Sequence, residues 1–216
     1  MKNLIALLIL FTSVCYAQES IYNSYDWEDP SHYQTLTLDS KESMITVKEK
    51  TIKEFLFEGD DGLFEYSIEH KAIWLNSDAK IEDYNKVYLP YNSNSTLIVS
   101  KARVIQSDGS VQVLDDSKIH TAKDEETNNT YKYFAFEGIE KGSIIEYFFV
   151  LKKYPSYQGK RIFLQSGFKK KDVSFDLYAP SNLIFDLIFN SLHMNKTAKL
   201  KIIQGTKTGL IRTLKS

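Results

Sequence analysis

The stretch FEGIEKGSIIEYFFVLKKY, Phe136 to Tyr154, decides the fold. Gly138 and Gly142 bracket a charged turn, and from Ile144 to Leu151 nearly every residue except Glu146 is apolar. A run that is apolar on both faces marks a central strand buried between two layers. Glu146 must then be paired, or lie at an edge. Left among apolar neighbours it would have a raised pKa and mark a local site; paired, it is structural, with Tyr147 as the other polar member of the strand.

Upstream, TLIVSKARVIQSDGSVQVLDD reads as a hairpin whose Asp108-Gly109 supplies the positive φ angles of a tight turn. Before it, ITVKEKTIKEFLF and LFEYSIEHKAIWL flank EGDDG. In the second run Phe64, Tyr66, Ile68, Ala72 and Trp74 share one face, and Glu65, Ser67, Glu69 and Lys71 the other, the period of a strand in a long antiparallel hairpin. SDAKIEDYNKVYLPY places Ile81, Tyr84 and Val87 or Tyr88 at helical spacing behind Ser77 or Asp78, which predicts a short helix or turn. KIHTAKDEETNNTYK reads as an exposed loop. Downstream, RIFLQ, DVSFDLYAP, NLIFDLIF, AKLKIIQ and TGLIRTL read as further strands, with turns at Pro180-Ser181, Met194-Asn195 and Lys207 to Gly209. The fold class expected is mostly β, an antiparallel β-sandwich-like domain with at most one or two short helices. The aromatic content of 13%, against only 9 Gly and 4 Pro, agrees with it.

The first residues place Lys2 before an apolar run from Leu4 to Val14, with Cys15 and Ala17 at the -3 and -1 positions before Gln18. That is the pattern of a secretory signal peptide, residues 1–17, and implies an exported protein, periplasmic or extracellular after cleavage near Ala17. Lipidation of Cys15 is the alternative processing. Residues 18–43 form an irregular lead-in whose Tyr25 and Trp27 dock on the domain, and 44–216 the β-rich domain. Cleavage removes Cys15, the only cysteine, and with it any thiolate nucleophile, disulfide or cysteine metal ligand. With 27 basic and 28 acidic residues, no general field draws in nucleic acid or an anionic membrane.

His32, His70, His120 and His193 show no metal-ligand spacing, and no cofactor fingerprint is present, so neither metal nor cofactor is expected. His70, on the apolar face of its strand, reads as structural. Asp60 and Asp61, Asp115 and Asp116, and Glu125 and Glu126 read as turn or loop carboxylates, and no catalytic residue is assigned. YNKVYLPYNSN gathers Tyr84, Tyr88, Tyr91, Asn92 and Asn94, rings and amides of the kind a saccharide- or peptide-binding face uses; core or interdomain packing is the competing reading.

Three segments resemble a known family: IEDYNKVYLPYNSNSTLIVSKARVIQSDGSVQVLD, FAFEGIEKGSIIEYFFVLKKY and IFLQSGFKKKDVSFDLYAPSNLIF. Together, from about Met44 to Phe189, they are similar to the domain of unknown function found N-terminal to transglutaminase-like domains in exported bacterial proteins. The resemblance implies a β-sandwich-like accessory domain beside a papain-like fold whose Cys, His and Asp do the chemistry. Asp108, Gly109, Gly138, Gly142, Glu146 and Tyr147 are the residues that carry its fold signature. No catalytic cysteine transfers to this sequence. The expectation is therefore a non-catalytic domain that docks on or supports a transglutaminase-like domain or protein, with a cell-envelope glycan- or peptide-binding module as the alternative. The strand-like end TGLIRTLKS adds the expectation that the chain stops before such a partner begins, as a truncated relative, a stand-alone domain or the product of an interrupted reading frame.

Overall fold

A computed structural model describes residues 19–27, 29–34, 38–39, 41–90, 92, 94–114, 119–126, 130–158, 160–164, 166–185 and the strand 198–204. β1 (Met44–Phe57) and β2 (Leu63–Leu75) are the expected long antiparallel hairpin, paired from Met44 opposite Leu75 to Phe57 opposite Leu63. Their turn is a single helical turn, Gly59–Asp61, closed by Gly62 at φ 95°. α2 (Asp78–Tyr84) follows, capped where the Lys80 amide donates to Ser77 Oγ at 3.3 Å; the shorter α1 (Ser31–Gln34) lies in the lead-in. Next come β3 (Lys86–Leu89), β4 (Ser95–Ile105), β5 (Val111–Leu114), β6 (Ile119–Lys123), β7 (Thr130–Ala135), β8 (Ile144–Lys153), β9 (Lys169–Ala179) and β10 (Ala198–Gln204).

Among the described residues two sheets result, a seven-stranded one in the order β10-β9-β1-β2-β8-β4-β5 and a three-stranded one in the order β3-β7-β6. The fold is mostly β and sandwich-like, as its strand cadence predicts. Pairing is antiparallel except along β1/β9 and β9/β10, which are parallel. The β8 to β9 connection has to return the chain to the end where it started, skipping β2 and β1, and parallel strands need such long crossovers.

β8 lies between β2 and β4 and is buried from Ile144 to Leu151. Its two faces meet different covers. Ile145, Tyr147, Phe149 and Leu151 join Ile73, Leu75, Val104 and, from the small sheet, Val87, Leu89 and Phe134. On the other face, Phe148 and Val150 join Ile52, Ile68 and Trp27 of the lead-in, flanked by Ile21, Tyr22 and Tyr25; Tyr33 packs with Ile45, Ala72, Trp74 and Ile144. The lead-in is thus two single turns, Ile21–Ser24 and Ser31–Gln34, laid on the large sheet.

Four readings change, the first being that Val87 and Tyr88, expected at helical spacing after Tyr84, lie instead on β3. RIFLQ is no strand: residues 161–164 are irregular and Phe163 is 72% exposed, because they belong to the crossover. KIHTAKDEETNNTYK holds β6 and the start of β7. β6 is an edge strand that packs only Ile119 against the core and leaves His120, Thr121 and Lys123 exposed, which is why it shows no apolar period. In NLIFDLIF, residues 182–185 form no strand; 186–189, TGLIRTL and the turns at Met194-Asn195 and Lys207 to Gly209 lie outside the described residues.

Gly142 sits at φ 91°, with Ser107 Cβ 3.4 Å from where its own Cβ would stand. A non-glycine residue in left-handed backbone costs roughly 1–2 kcal/mol. Gly142→Ala is expected to lower the urea midpoint accordingly, whereas Gly167→Ala, with open space and an ordinary φ, should leave it within about 0.5 kcal/mol; equal effects at both positions would remove this account of the turn.

Candidate functional site

The strand register brings the site together. Glu146 on β8 lies opposite Ala72 of β2 on one side and Arg103 of β4 on the other. His70 is two residues from Ala72 on β2, so alternation puts it on the same face. The lead-in then lowers Tyr25, Trp27 and Tyr33 onto this face. Arg103 Nε donates to Glu146 Oε2 at 2.5 Å, and its Nη2 donates to the Trp27 carbonyl at 2.6 Å, with the guanidinium 4.5 Å from the Trp27 ring centre. Tyr33 Oη donates to Glu146 Oε1 at 2.7 Å. His70 Nε2 stands 2.6 Å from the same Oε1, and Tyr25 Oη 2.9 Å from His70 Nδ1.

One proton arrangement satisfies every atom on the imidazole. With His70 neutral and Nε2 protonated, Nε2 donates to the carboxylate while Nδ1 accepts from the Tyr25 hydroxyl. The cluster is then neutral overall, Glu146 balanced by Arg103. Burial lowers the His70 pKa, outweighing the hydrogen bond to Glu146 that would raise it. For Glu146, burial opposes ionisation, yet hydrogen bonds from His70 and Arg103 prevail and hold the carboxyl below its ordinary value. Burial beside Glu146 also drives the Tyr25 and Tyr33 hydroxyls up. Glu146 is therefore the paired glutamate, and the raised pKa that would have marked it as an isolated site is replaced by a lowered one.

A carboxylate, an imidazole, a guanidinium and two phenols are the materials of acid-base chemistry, but Glu146 and His70 are 0% and 1% exposed. An open cleft of about 380 Å³ lies nearby, lined by Tyr22 to Trp27, Val99, Lys101 and Phe148; none of Glu146, His70, Arg103 or Tyr33 lines it. No three His, Cys, Asp or Glu side chains converge as a metal site among the described residues. A further clamp ties the lead-in to β1, where Ser20 Oγ donates to Glu54 Oε2 at 2.6 Å and the Ile21 amide donates to the same carboxylate.

The aromatic and amide cluster is divided. Tyr84 is half-buried against the core. Tyr88 is 58% exposed on β3, its ring 6.3 Å from Tyr131 and 5.4 Å from Tyr133. Asn92 and Asn94 serve a local turn, the Asn94 amide donating to Asn92 Oδ1 at 2.9 Å. Tyr91 lies outside the described residues. The exposed rings are instead Tyr88 and Tyr131, set beside the half-buried Tyr133, on which His120 stacks at 5.4 Å. Of the signature residues, Gly109 and Gly138 have φ 86° and 69°. Asp108 Oδ1 accepts from the Ser110 amide at 2.8 Å, and the Gly138 carbonyl accepts from Gln106 Nε2 at 2.7 Å. Tyr147 is buried on the opposite face from Glu146, stacked with Phe149. Asp60 and Asp61 sit exposed in the β1–β2 turn and Glu125 and Glu126 in the β6–β7 turn, while Asp115 and Asp116 lie outside the described residues. His32 is exposed in α1, and His193 lies outside the described residues. Sequence reasoning missed Arg103 and Tyr33; the available signal was a lone cation in the apolar strand ARVI.

Fold and site together define a β-sandwich-like domain whose polar centre is closed from solvent. A model of the family DUF3857, a domain of unknown function with solved structure, matches residues 60–207, and the chain belongs to that family. No curated protein matches it. Among solved structures, a "putative protease" from Parabacteroides distasonis ATCC 8503 is similar at a TM-score of 0.45 and 17% identity, over 53% of this chain and 24% of that one. The chain thus spans about a quarter of that protein's length.

Removing one partner of a buried ion pair costs about 3–5 kcal/mol. Arg103→Met is expected to show a loss of that size in urea denaturation. Both pKa shifts act in the same direction with pH. The fold favours neutral His70, so stability is full above 6.5 and falls as pH drops below it, and the lowered Glu146 adds a further loss below 4.5. His70→Gln should remove the upper limb; a stability profile flat between pH 7 and 5 in the wild type would contradict the neutral imidazole.

Proposed function

We propose that the chain is a non-catalytic accessory domain, exported after cleavage near Ala17, that docks on and supports a transglutaminase-like domain of papain fold. The observation that carries the reading is the use of Glu146, His70, Arg103 and Tyr33: residue types that enzymes use for proton transfer are spent here on fixing the lead-in to the sheet, without access to a reacting molecule. The resemblance of GSIIEY and its flanking segments supplies the partner class. The test mixes the chain, as its host processes it, with each transglutaminase-like domain encoded in the same genome. Co-elution with one of them and a raised melting temperature are expected, and the N-terminal sequence should begin at Gln18. Peptide cleavage or amine cross-linking by the chain alone, abolished in His70→Asn, would overturn the non-catalytic reading; failure of every such domain to co-elute would overturn the docking.

A second reading rests on the exposed Tyr88 and Tyr131 with the half-buried Tyr133 beside them, whose rings and hydroxyls suit an envelope glycan or peptide. Under it, Tyr88→Ala and Tyr133→Ala weaken binding to isolated peptidoglycan in a pull-down by about tenfold each, from roughly 1 kcal/mol or more per ring contact; retention unaffected by both changes removes this reading.

A further inference from the structure

The β8–β9 crossover is strongly and one-sidedly basic. From Lys152 to Lys171 the sequence KKYPSYQGKRIFLQSGFKKK holds seven Lys or Arg and no Asp or Glu, although the whole chain has 27 basic and 28 acidic residues. The same segment leaves apolar and aromatic side chains in water: Tyr157 is 90% exposed, Phe163 72% and Ile162 39%. Isolated exposed apolar residues are ordinary, but several on one irregular segment mark a contact surface.

The cations at the two ends of the segment have other tasks. Lys152 and Lys153 pair with Glu58 and Glu65 at 2.6 and 3.5 Å, Lys169 reaches Asp39 at 3.8 Å, and Lys170 pairs with Glu49. Tyr154 stacks on Phe64 at 4.9 Å, and Lys80 stands 4.9 Å over the Phe168 ring. These contacts pin both ends of the crossover to the domain. Between them, Lys160 and Arg161 meet no carboxylate among the described residues, and Arg161 lies 6.0 Å from the Phe163 ring. The middle of the crossover thus presents two cations flanked by a tyrosine, an isoleucine and a phenylalanine, all outward.

We propose that this crossover is a peripheral membrane anchor, which rests Lys160 and Arg161 on anionic phospholipid headgroups and sinks Tyr157, Ile162 and Phe163 to the headgroup and acyl boundary. Aromatic rings favour that depth, and cations near an anionic leaflet each contribute attraction. A protein partner suits the observations less well: the apolar side chains are strung along an irregular segment instead of forming a flat patch with a polar rim, and a continuous acid-free run matches a surface of one charge sign.

The test is sedimentation of the chain, as its host processes it, with vesicles of phosphatidylcholine alone and of phosphatidylcholine with phosphatidylglycerol. Binding is expected to the anionic vesicles only, and to weaken at high salt. At about 1 kcal/mol per cation, Lys160→Ser with Arg161→Ser should reduce partitioning roughly thirty-fold. Tyr157→Ser with Phe163→Ser should abolish it at an unchanged melting temperature, since all four side chains are exposed. Lys86→Ser, on the small sheet, should bind as wild type. The proposal is overturned if the wild type stays in the supernatant with both vesicle types, if it binds both equally, or if the crossover variants sediment as the wild type does.

Discussion

An ionised carboxylate at the centre of a seven-stranded sheet is tolerable only where its charge and all its lone pairs are met. Glu146 meets this condition with Arg103 from the neighbouring strand, His70 from the strand on the other side, and the Tyr33 hydroxyl from above. Two of those partners are themselves completed by the lead-in, through the Trp27 carbonyl on Arg103 and the Tyr25 hydroxyl on His70. Without residues 20–33 the sheet would show water a row of Ile68, Phe148 and Val150 beside a half-satisfied ion pair. The second layer of this sandwich on that face is therefore not a sheet but a strap.

An apolar trio in place of Glu146, His70 and Arg103 would satisfy the interior equally well on energy alone, since buried ion pairs contribute little net stability over apolar residues of similar volume. What the polar cluster adds is position. A strap rich in Tyr and Trp finds many near-equivalent seats on an aliphatic sheet face, whereas four directional contacts, at Glu54, His70, Arg103 and Glu146, fix one. The two lowered pKa values have different causes in the same geometry: burial disfavours the charged form of His70, whereas the donors on Glu146 hold its carboxyl ionised against burial.

Period and punctuation made the large sheet legible. The β1–β2 hairpin, the Asp108-Gly109 turn, the Ser77 cap and the doubly apolar β8 each rest on local rules that tertiary contacts left intact. The readings that changed depended on what lay outside the segment. RIFLQ has strand propensity but serves as a crossover, and β6 lacks a period because, as an edge strand, it packs only Ile119 against the core. At the site, a carboxylate inside an apolar run was visible from the sequence. Its partners were not, since Tyr33 and Arg103 lie 113 and 43 residues away and only the docking of the lead-in and the strand register, respectively, bring them to it.

The crossover shows how a topological requirement becomes surface chemistry. Because β9 runs parallel to β1, the chain leaving β8 at Lys153 must travel back along the sheet before it pairs again at Lys169. Many parallel connections make that journey as a helix, which turns its apolar stripe inward and its charges outward. This one is irregular, with its ends pinned by Lys152, Lys153, Lys169 and Lys170. An irregular segment has no stripe to bury, so Tyr157 and Phe163 stand in solvent beside Lys160 and Arg161. A net charge of −1 conceals this, since the acidic residues lie on other strands and turns and leave the crossover with a single sign. The interior of the domain is closed around Glu146, and its least satisfied surface is the segment that the strand order forces to the outside.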